Sequence, residues 1–399
     1  MPSGRQRAWL FAAACAAMFI FGVVLALLGT LFGLPAMRER LGVNLAQQGD
    51  LFLLLFAGVC FATVVVGPLI DCFGHKLVLL ASSVLVTLAL VEFAVARSLL
   101  SAAVAALVIG LGGGGLNTAS NVLTSDLYEG KRGRMLNLLG IFYGFGALFI
   151  PLLAAGITSL LPMPELLLCT AVLPLIAIVA CAVLPFPPPR EGHGMSWREI
   201  LEVVRYPGLL LFSLLLFIES GNEAVLAGWT STYVGEAGAA ARLATWILAG
   251  YWAGLMLGRF SATHLLRYFR DVKLVLLSAL GTMAGCAILL GARSLPVLAA
   301  AVVFTGFAQS AIYPTSLAMI GDRYRRYAGT AFGVLFAIGL AGGAVFPWAV
   351  GQISEARSVR AGMVLLLVGA CAVAAVVVVI KHRLCGDKQP GRPVGDASV

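Results

Sequence analysis

The chain of 399 residues is poor in charge, because Asp, Glu, Lys and Arg together make up only 11% of it. A soluble domain normally carries about 25% charged residues. Hydrophobic residues account for 60% of the chain, and the mean hydropathy is +0.99. The composition therefore excludes an ordinary soluble globular protein and predicts a membrane protein.

The chain also lacks the sequence motifs of catalysis and metal binding. Its eight cysteines include no CxxC pair or other metal-ligand spacing, and most lie in apolar stretches where Cys packs as a small apolar residue. Walker, HExxH, G-x-S-x-G and dinucleotide-binding motifs are missing as well. We therefore expect no disulfide, no metal, no bound cofactor and no enzyme activity.

Apolar runs long enough to cross a bilayer, about 17–25 residues each, occur twelve times. Runs this long and apolar are helical, since only helices and closed barrels satisfy the backbone inside a membrane. The sequence thus predicts an all-α membrane protein with twelve transmembrane helices. The predicted spans are 8–34, 50–70, 77–97, 99–125, 135–161, 164–186, 207–234, 241–265, 273–293, 295–320, 327–352 and 360–381.

Lys and Arg residues set the predicted orientation. With the N-terminus inside, 20 of the 27 fall on the cytoplasmic side. The positive-inside rule then places both termini in the cytoplasm, for a multi-pass protein of the cell (inner) membrane. The net charge of +9 follows from this bias and suits anionic lipid headgroups. Because the charges are scattered over loops, we expect no nucleic-acid partner.

The chain repeats itself at about half its own length. Eight residues recur 196 positions later, and this duplication of apolar sequence is typical of a two-halved transporter. We predict two pseudo-symmetric six-helix bundles, 1–186 and 207–383, joined by a linker at 187–206 with a short amphipathic helix on the membrane surface. A tail, 384–399, is expected to be disordered. The repeated residues are Gly110, Ser120, Asp126, Tyr128, Gly133, Gly146, Pro151 and Ile157.

The segment from Gly67 to Lys76, between the second and third spans, reads G-P-L-I-D-C-F-G-H-K. It resembles the signature loop of the major facilitator superfamily, roughly G-x-L-x-D-x-x-G-R/K-K/R. The glycines allow a tight turn at packed helix ends, and Asp71 can face a helix N-terminus across the interface between the halves. His75 departs from the usual Arg or Lys, which predicts a pH-dependent contact. The resemblance implies the twelve-helix fold of that superfamily.

Charged residues at the predicted cytoplasmic loops are candidates for a gate that opens as the halves rock. The second half keeps a degraded signature, Gly258-Arg259, which we assign to the loop side. The alternative is that these are surface charges that only set topology. The candidate gate residues are Gly67, Asp71, Gly74, Lys76, Asp126, Arg132, Arg134, Asp322 and Arg326.

A finer resemblance is to the fucose/glucose–galactose branch of the superfamily. It rests on 110–121, on Gly221-Asn222-Glu223 followed by Trp229 and Tyr233, and on 306–315. The branch implies sugar transport, commonly with a proton or a sodium ion. Where fucose-type members have an acidic residue in the fourth helix, this chain has Asn117, so proton coupling is not expected in the first half.

Glu219 and Glu223 lie well inside the seventh span. An ionised acid at mid-membrane costs about 2–3 kcal/mol or more, so such a residue suggests function. At i and i+4 they share one helical face, and two carboxylates in a low dielectric do not both ionise readily. We predict that they carry the coupling ion, H⁺ or Na⁺. The alternative is a protonated acid that packs by hydrogen bonding.

A sugar site needs convergent amide and hydroxyl groups and an aromatic face. The spans offer such groups at helical spacing, although each could instead form an interhelical hydrogen bond. The predicted substrate-binding residues are Asn117, Asn121, Asn137, Tyr143, Asn222, Trp229, Gln309 and Tyr313.

Together these features predict a secondary transporter of a small polar solute, most simply a sugar, working by alternating access with proton or sodium symport. We expect it to act as a monomer whose partners are the solute and the lipid bilayer. An efflux antiporter of amphipathic compounds or lipids is the first alternative. A membrane receptor or sensor that retains the transporter scaffold is the second.

Overall fold

The computed structural model of the chain describes residues 4–128, 131–157, 162–187, 207–266, 268–323 and 328–384. These residues form helices joined by short connections. The helices are α1 (Gly4–Phe32), α2 (Pro35–Leu41), α3 (Leu45–Val95), α4 (Leu99–Leu127), α5 (Arg132–Ile157), α6 (Met163–Ala171), α7 (Leu173–Val183), α8 (Pro207–Glu236), α9 (Ala241–Leu265), α10 (Asp271–Gly291), α11 (Leu295–Gln309), α12 (Ile312–Arg323), α13 (Ala328–Ala356) and α14 (Val359–Leu384).

The predicted twelve spans are confirmed. Ten helical segments are long and apolar enough to cross a membrane. One of them, α3, contains two spans, because it is 51 residues long and Gly74, at φ 78 and ψ 164, divides it. The twelfth is α9, whose 25 residues pack against α5, α8 and α11. Its lower apolarity reflects the polar groups that it contributes to the interior.

Proline interrupts the spans at places that the sequence did not predict. The repeated prolines Pro151 and Pro347 lie inside α5 and α13, and both helices continue through them. The sixth span is instead divided at Val172, where Pro174 starts α7, and the tenth is divided before α12. Proline at a helix start leaves no bond unmade, because the first amides have no partner in the helix.

Glycines pack the two halves in the same way. A Cβ at Gly110 would overlap the carbonyl oxygen of Leu55, and one at Gly306 would overlap that of Tyr251, which is 196 positions after Leu55. Gly58 and Gly254 repeat this relation with the carbonyls of Leu107 and Val303. Small residues of this kind let membrane helices approach backbone to backbone. The repeat read from the sequence is therefore a repeat of helix contacts.

The halves meet where α1 packs on α8, α3 on α13 and α5 on α9. We call the end of the bundle opposite the two termini the distal face. There, Asp50 Oδ1 accepts hydrogen bonds from Trp348 Nε1 at 3.1 Å and Gln352 Nε2 at 3.2 Å. The amide of Leu45 donates to Glu355 Oε2 at 3.0 Å. The two halves are thus held together by hydrogen bonds at the distal face.

Several predictions fall on other parts of the chain. The amphipathic helix of the linker and the disordered tail lie outside the described residues, apart from the linker's first residue and the tail's first residue. The domain boundaries drawn from the sequence therefore stay predictions.

Candidate functional site: an acidic cluster between the halves

Glu223 lies near the middle of α8. It is 13 residues from the distal end of α8 at Glu236, or about 20 Å at the helical rise of 1.5 Å per residue. Its side chain is 19% exposed. A carboxylate at this depth needs a partner to offset its lost hydration.

Two side chains from different halves provide that partnership. Tyr143 of α5 donates its hydroxyl to Glu223 Oε1 at 3.1 Å. The guanidinium of Arg259, in α9, lies 3.8 Å from Glu223 Oε2 and 5.6 Å from the centre of the Tyr143 ring. A cation over an aromatic face is attracted by the ring quadrupole. We call Tyr143, Glu223 and Arg259 the Glu223 cluster; it joins the N-terminal half to the C-terminal half.

Glu219 lies one helical turn from Glu223 but has a different environment. It is 1% exposed, and neither carboxylate oxygen has a hydrogen-bond partner among the described residues. Asn222 is fully buried, and both of its side-chain polar atoms lack such a partner too. Buried polar groups are usually hydrogen-bonded, so Glu219 and Asn222, which lie within one turn of each other, are candidates for binding a ligand.

Tyr251 and Gln309 lie beside the Glu223 cluster in the C-terminal half. Gln309 Nε2 donates to the Tyr251 hydroxyl at 2.6 Å, and both residues are buried. Tyr251 interacts electrostatically with Glu219 and Glu223. Tyr313, half-buried in α12, stacks obliquely on Phe336 at 6.2 Å and lies within electrostatic reach of Glu223. The structure therefore brings Tyr143, Asn222, Gln309 and Tyr313 of the predicted set near the two acids.

Asn117, Asn121 and Asn137 lie apart from this arrangement. Asn121 Nδ2 donates to Asn117 Oδ1 at 3.0 Å and to the Asn117 carbonyl at 2.9 Å, so the pair forms a contact within α4. Asn137 is exposed near the start of α5. None of the three has a described hydrogen bond to the Glu223 cluster.

Trp229 also makes a contact of a different kind from the one predicted. Its indole Nε1 donates to the Pro347 carbonyl at 3.1 Å, and the side chain is fully buried. The indole N–H is therefore used between α8 and α13, both in the C-terminal half. The structure gives Trp229 a packing contact, and its predicted role in substrate binding stays a prediction.

The signature loop is built within the N-terminal half. Gly74 has a positive φ that favours glycine, in agreement with the predicted turn. His75 is buried and its Nε2 lies 3.2 Å from Asp126 Oδ2, while Lys76 Nζ donates to the Ala182 carbonyl at 3.4 Å. At Gly67, however, an added Cβ would meet no atom within 4 Å, so the close packing predicted there is not seen in this conformation.

The remaining gate candidates are less informative. Asp71 is half-buried at the end of the second span, and Arg134 is exposed at the start of α5. Arg132 and Asp322 lie in α5 and α12, and Arg326 lies outside the described residues. Their pairing across the halves stays a prediction.

Sequence reasoning missed Arg259. It was counted only among the charges of the cytoplasmic side, whereas the structure places it in α9 beside Glu223, where it is 29% exposed. The signal was present, since Arg259 falls inside the predicted span 241–265 and an arginine within a span is a functional candidate. Tyr251, in the same span, was missed as well.

Comparisons with known proteins show the family and the fold. The family model described as Major Facilitator Superfamily matches residues 10–241 and 212–395, and the chain belongs to that superfamily. It is therefore a multi-pass membrane transporter and not an enzyme. The orientation and the membrane in which it resides stay predictions.

Two curated relatives are similar over parts of the chain. The rat (Rattus norvegicus) sodium-dependent glucose transporter 1 is 32% identical over 154 residues, which cover 38% of this chain and 31% of that protein. The alignment thus spans about a third of the rat protein's length. The TsgA homolog of Erwinia tasmaniensis is 22% identical over 314 residues, covering 76% of this chain and 75% of that protein.

Two solved structures share the fold. The nucleoside transporter NupG superposes with a TM-score of 0.73 and 13% identity, over 94% of this chain and 98% of that one. A bacterial homolog of the human lysosomal transporter Spinster, inward-facing and unoccupied, gives a TM-score of 0.75 and 14% identity, over 95% and 97%. At these identities the likeness concerns the fold alone.

Proposed function

We propose that the protein is a secondary active transporter of a sugar or a similar polyhydroxylated solute, driven by a proton that binds at Glu223. The observation that carries the proposal is the Glu223 cluster. It places a titratable acid at mid-depth, in contact with a hydroxyl from the opposite half. A group that both binds an ion and joins the halves can couple ion binding to their movement.

The coupling follows from elementary electrostatics. An ionised Glu223 holds the Arg259 guanidinium and accepts the Tyr143 hydrogen bond. Protonation removes the charge that attracts Arg259 and one of the acceptor sites. The contact between α5 and α8 then weakens, and the halves can separate on the side where solute enters or leaves.

The name of one relative supports the solute class, because the rat protein is called a glucose transporter and glucose is a sugar. Tyr143 and Tyr313 offer hydroxyls and aromatic faces near the acids, and Gln309 offers an amide, which are the groups that bind polyols. The rat relative is named for sodium, so Na⁺ is the alternative coupling ion.

We further propose that the protein resides in the cell membrane as a monomer, with both termini in the cytoplasm. The distal face is then the outer face. Its hydrogen bonds to Asp50 and Glu355 then hold the outer side closed in the conformation described.

The test is Glu223→Gln in proteoliposomes. We expect it to abolish accumulation driven by a pH gradient while sugar counterflow continues, because the amide keeps the hydrogen-bonding shape but cannot carry a proton. Glu92→Gln is the matched control: Glu92 is exposed near the end of α3, where it accepts from Ser101. If pH-driven accumulation persisted unchanged in Glu223→Gln, the coupling role would be lost.

A further inference from the structure

Glu219 and Asn222 lie on the side of α8 that faces the interior of the C-terminal half. Glu219 interacts electrostatically with Cys286 of α10. The Asn222 amide lies against Gly369 of α14, where an added Cβ would overlap Oδ1. The space around them is thus bounded by α8, α10 and α14, whereas the Glu223 cluster faces α5.

Charge balance leaves Glu219 without a counter-charge of its own. The charged groups that face it are Glu223 on its own helix and Arg259 on α9. Arg259 contacts Glu223 at 3.8 Å, so one cation serves two acids. The uncharged titratable neighbours are Cys286 and Tyr251. A buried carboxyl group in this setting is stabilised by a bound proton or by a bound cation.

The neighbouring ligands suit a small cation. The two Glu219 oxygens and Asn222 Oδ1 are buried acceptors without a partner among the described residues, and three residues apart they share a helix face. Gln309 Oε1 is a further buried acceptor without a described partner in the same half. Hard cations prefer carboxylate and amide oxygens. One uncompensated carboxylate matches one monovalent charge.

We propose that Glu219 and Asn222 form a binding site for an alkali cation, Na⁺ in the first place, inside the C-terminal half. The site is separate from the proton-binding group at Glu223 and lies one helical turn away on α8. The role of this cation as a second coupling ion rests on the proposed function. The binding of the cation does not. Gly369 is part of the site, because its missing side chain makes room for the Asn222 amide.

The test is thermal unfolding of the purified full-length protein at fixed pH and ionic strength, in NaCl, KCl or choline chloride. We expect NaCl to raise the unfolding temperature of the wild type over choline chloride, since a ligand that binds only the folded state stabilises it. The shift should remain in the control Glu92→Gln, at an exposed acid near the end of α3, and be lost in Glu219→Gln. Gly369→Ala, which displaces Asn222, should reduce it.

The outcomes separate this site from the proposed function. An equal shift in KCl would support an alkali-cation site that does not select Na⁺. No shift in the wild type, or an unchanged shift in Glu219→Gln and Gly369→Ala, would overturn the site. Stabilisation by low pH but by neither salt would show that Glu219 takes only a proton. If Glu219→Gln fails to fold, the Na⁺-dependent shift is measured in Gly369→Ala and Asn222→Leu instead, and both should reduce it. If Glu223→Gln does not lose pH-driven transport, the proposed proton coupling is wrong, but the measured binding of Na⁺ still stands.

Discussion

The two halves of the molecule are alike in their scaffold and different in their chemistry. Gly110 and Gly306 press on equivalent backbone carbonyls in the two halves. Yet α1 contains no acidic residue, whereas its counterpart α8 carries Glu219 and Glu223. Duplication therefore preserved the contacts that hold helices together, while ionisable groups of the interior accumulated on one side.

This asymmetry is compatible with a transporter whose two helical bundles move relative to each other. The C-terminal half holds both acids and Arg259, and the N-terminal half contributes Tyr143, a neutral hydroxyl. A change of charge in one half is thus sensed by the other through a hydrogen bond and a ring contact. Such bonds in membranes contribute about 0.6–1.7 kcal/mol, weak enough to break during a transport cycle.

The largest effect is expected from the shared scaffold. Gly110→Val and Gly306→Val each place a branched side chain where a backbone carbonyl already lies, so each should destabilise by about 3 kcal/mol or more. Thermal unfolding in detergent and the yield of monodisperse protein measure this. Gly140→Val is the control, because a Cβ there meets no atom within 4 Å. If the protein tolerated Gly306→Val but not Gly110→Val, the helix packing of the two halves would not be equivalent.

The second prediction concerns the chemistry of the C-terminal half. Arg259→Gln leaves two acids without their shared cation, and solute uptake should fall to background. The thermal midpoint should fall as well, because Glu223, mostly buried within a span, loses the cation that offsets its lost hydration. Arg270→Gln, an exposed arginine in the loop after α9, should transport normally. Normal uptake by Arg259→Gln would remove the cluster from the mechanism.

The fold was predictable because hydropathy and the 196-residue repeat both report on helix packing. The short helix α2 and the divided spans were not predicted, since they depend on local backbone details. Pro151 and Pro347 illustrate this, because proline removes one hydrogen bond but neighbouring helices can still keep the helix continuous.

The site was predictable only in part. The burial of Glu219 and the partial burial of Glu223 followed from their place in an apolar span. Arg259 was overlooked as a site residue because arginines near span ends commonly set only the topology, and the packing of α9 on α5 and α8 determines its partner. Asn117 and Asn121 show a further limit of prediction from spacing. Their separation of four residues fits two ligands of one solute as well as it fits the hydrogen bond that they form with each other.

The smallest expected effect distinguishes packing from substrate contact within the C-terminal half. Trp229 and Trp252 are both buried, but only Trp229 Nε1 has a hydrogen-bond acceptor among the described residues, the Pro347 carbonyl. Trp252 instead places its ring 6.0 Å from that of Tyr143. Trp229→Phe should therefore cost about 0.6–1.7 kcal/mol of stability and leave the KM for solute unchanged.

Trp252→Phe should show the opposite pattern, with little loss of stability and a higher KM, because it loosens the packing of Tyr143. Thermal unfolding and concentration-dependent uptake on the same two variants measure both quantities. A raised KM in Trp229→Phe would support the role in substrate binding that the sequence predicts for this residue. The chemistry of the C-terminal half would then extend to the contact between α8 and α13, well beyond the Glu223 cluster.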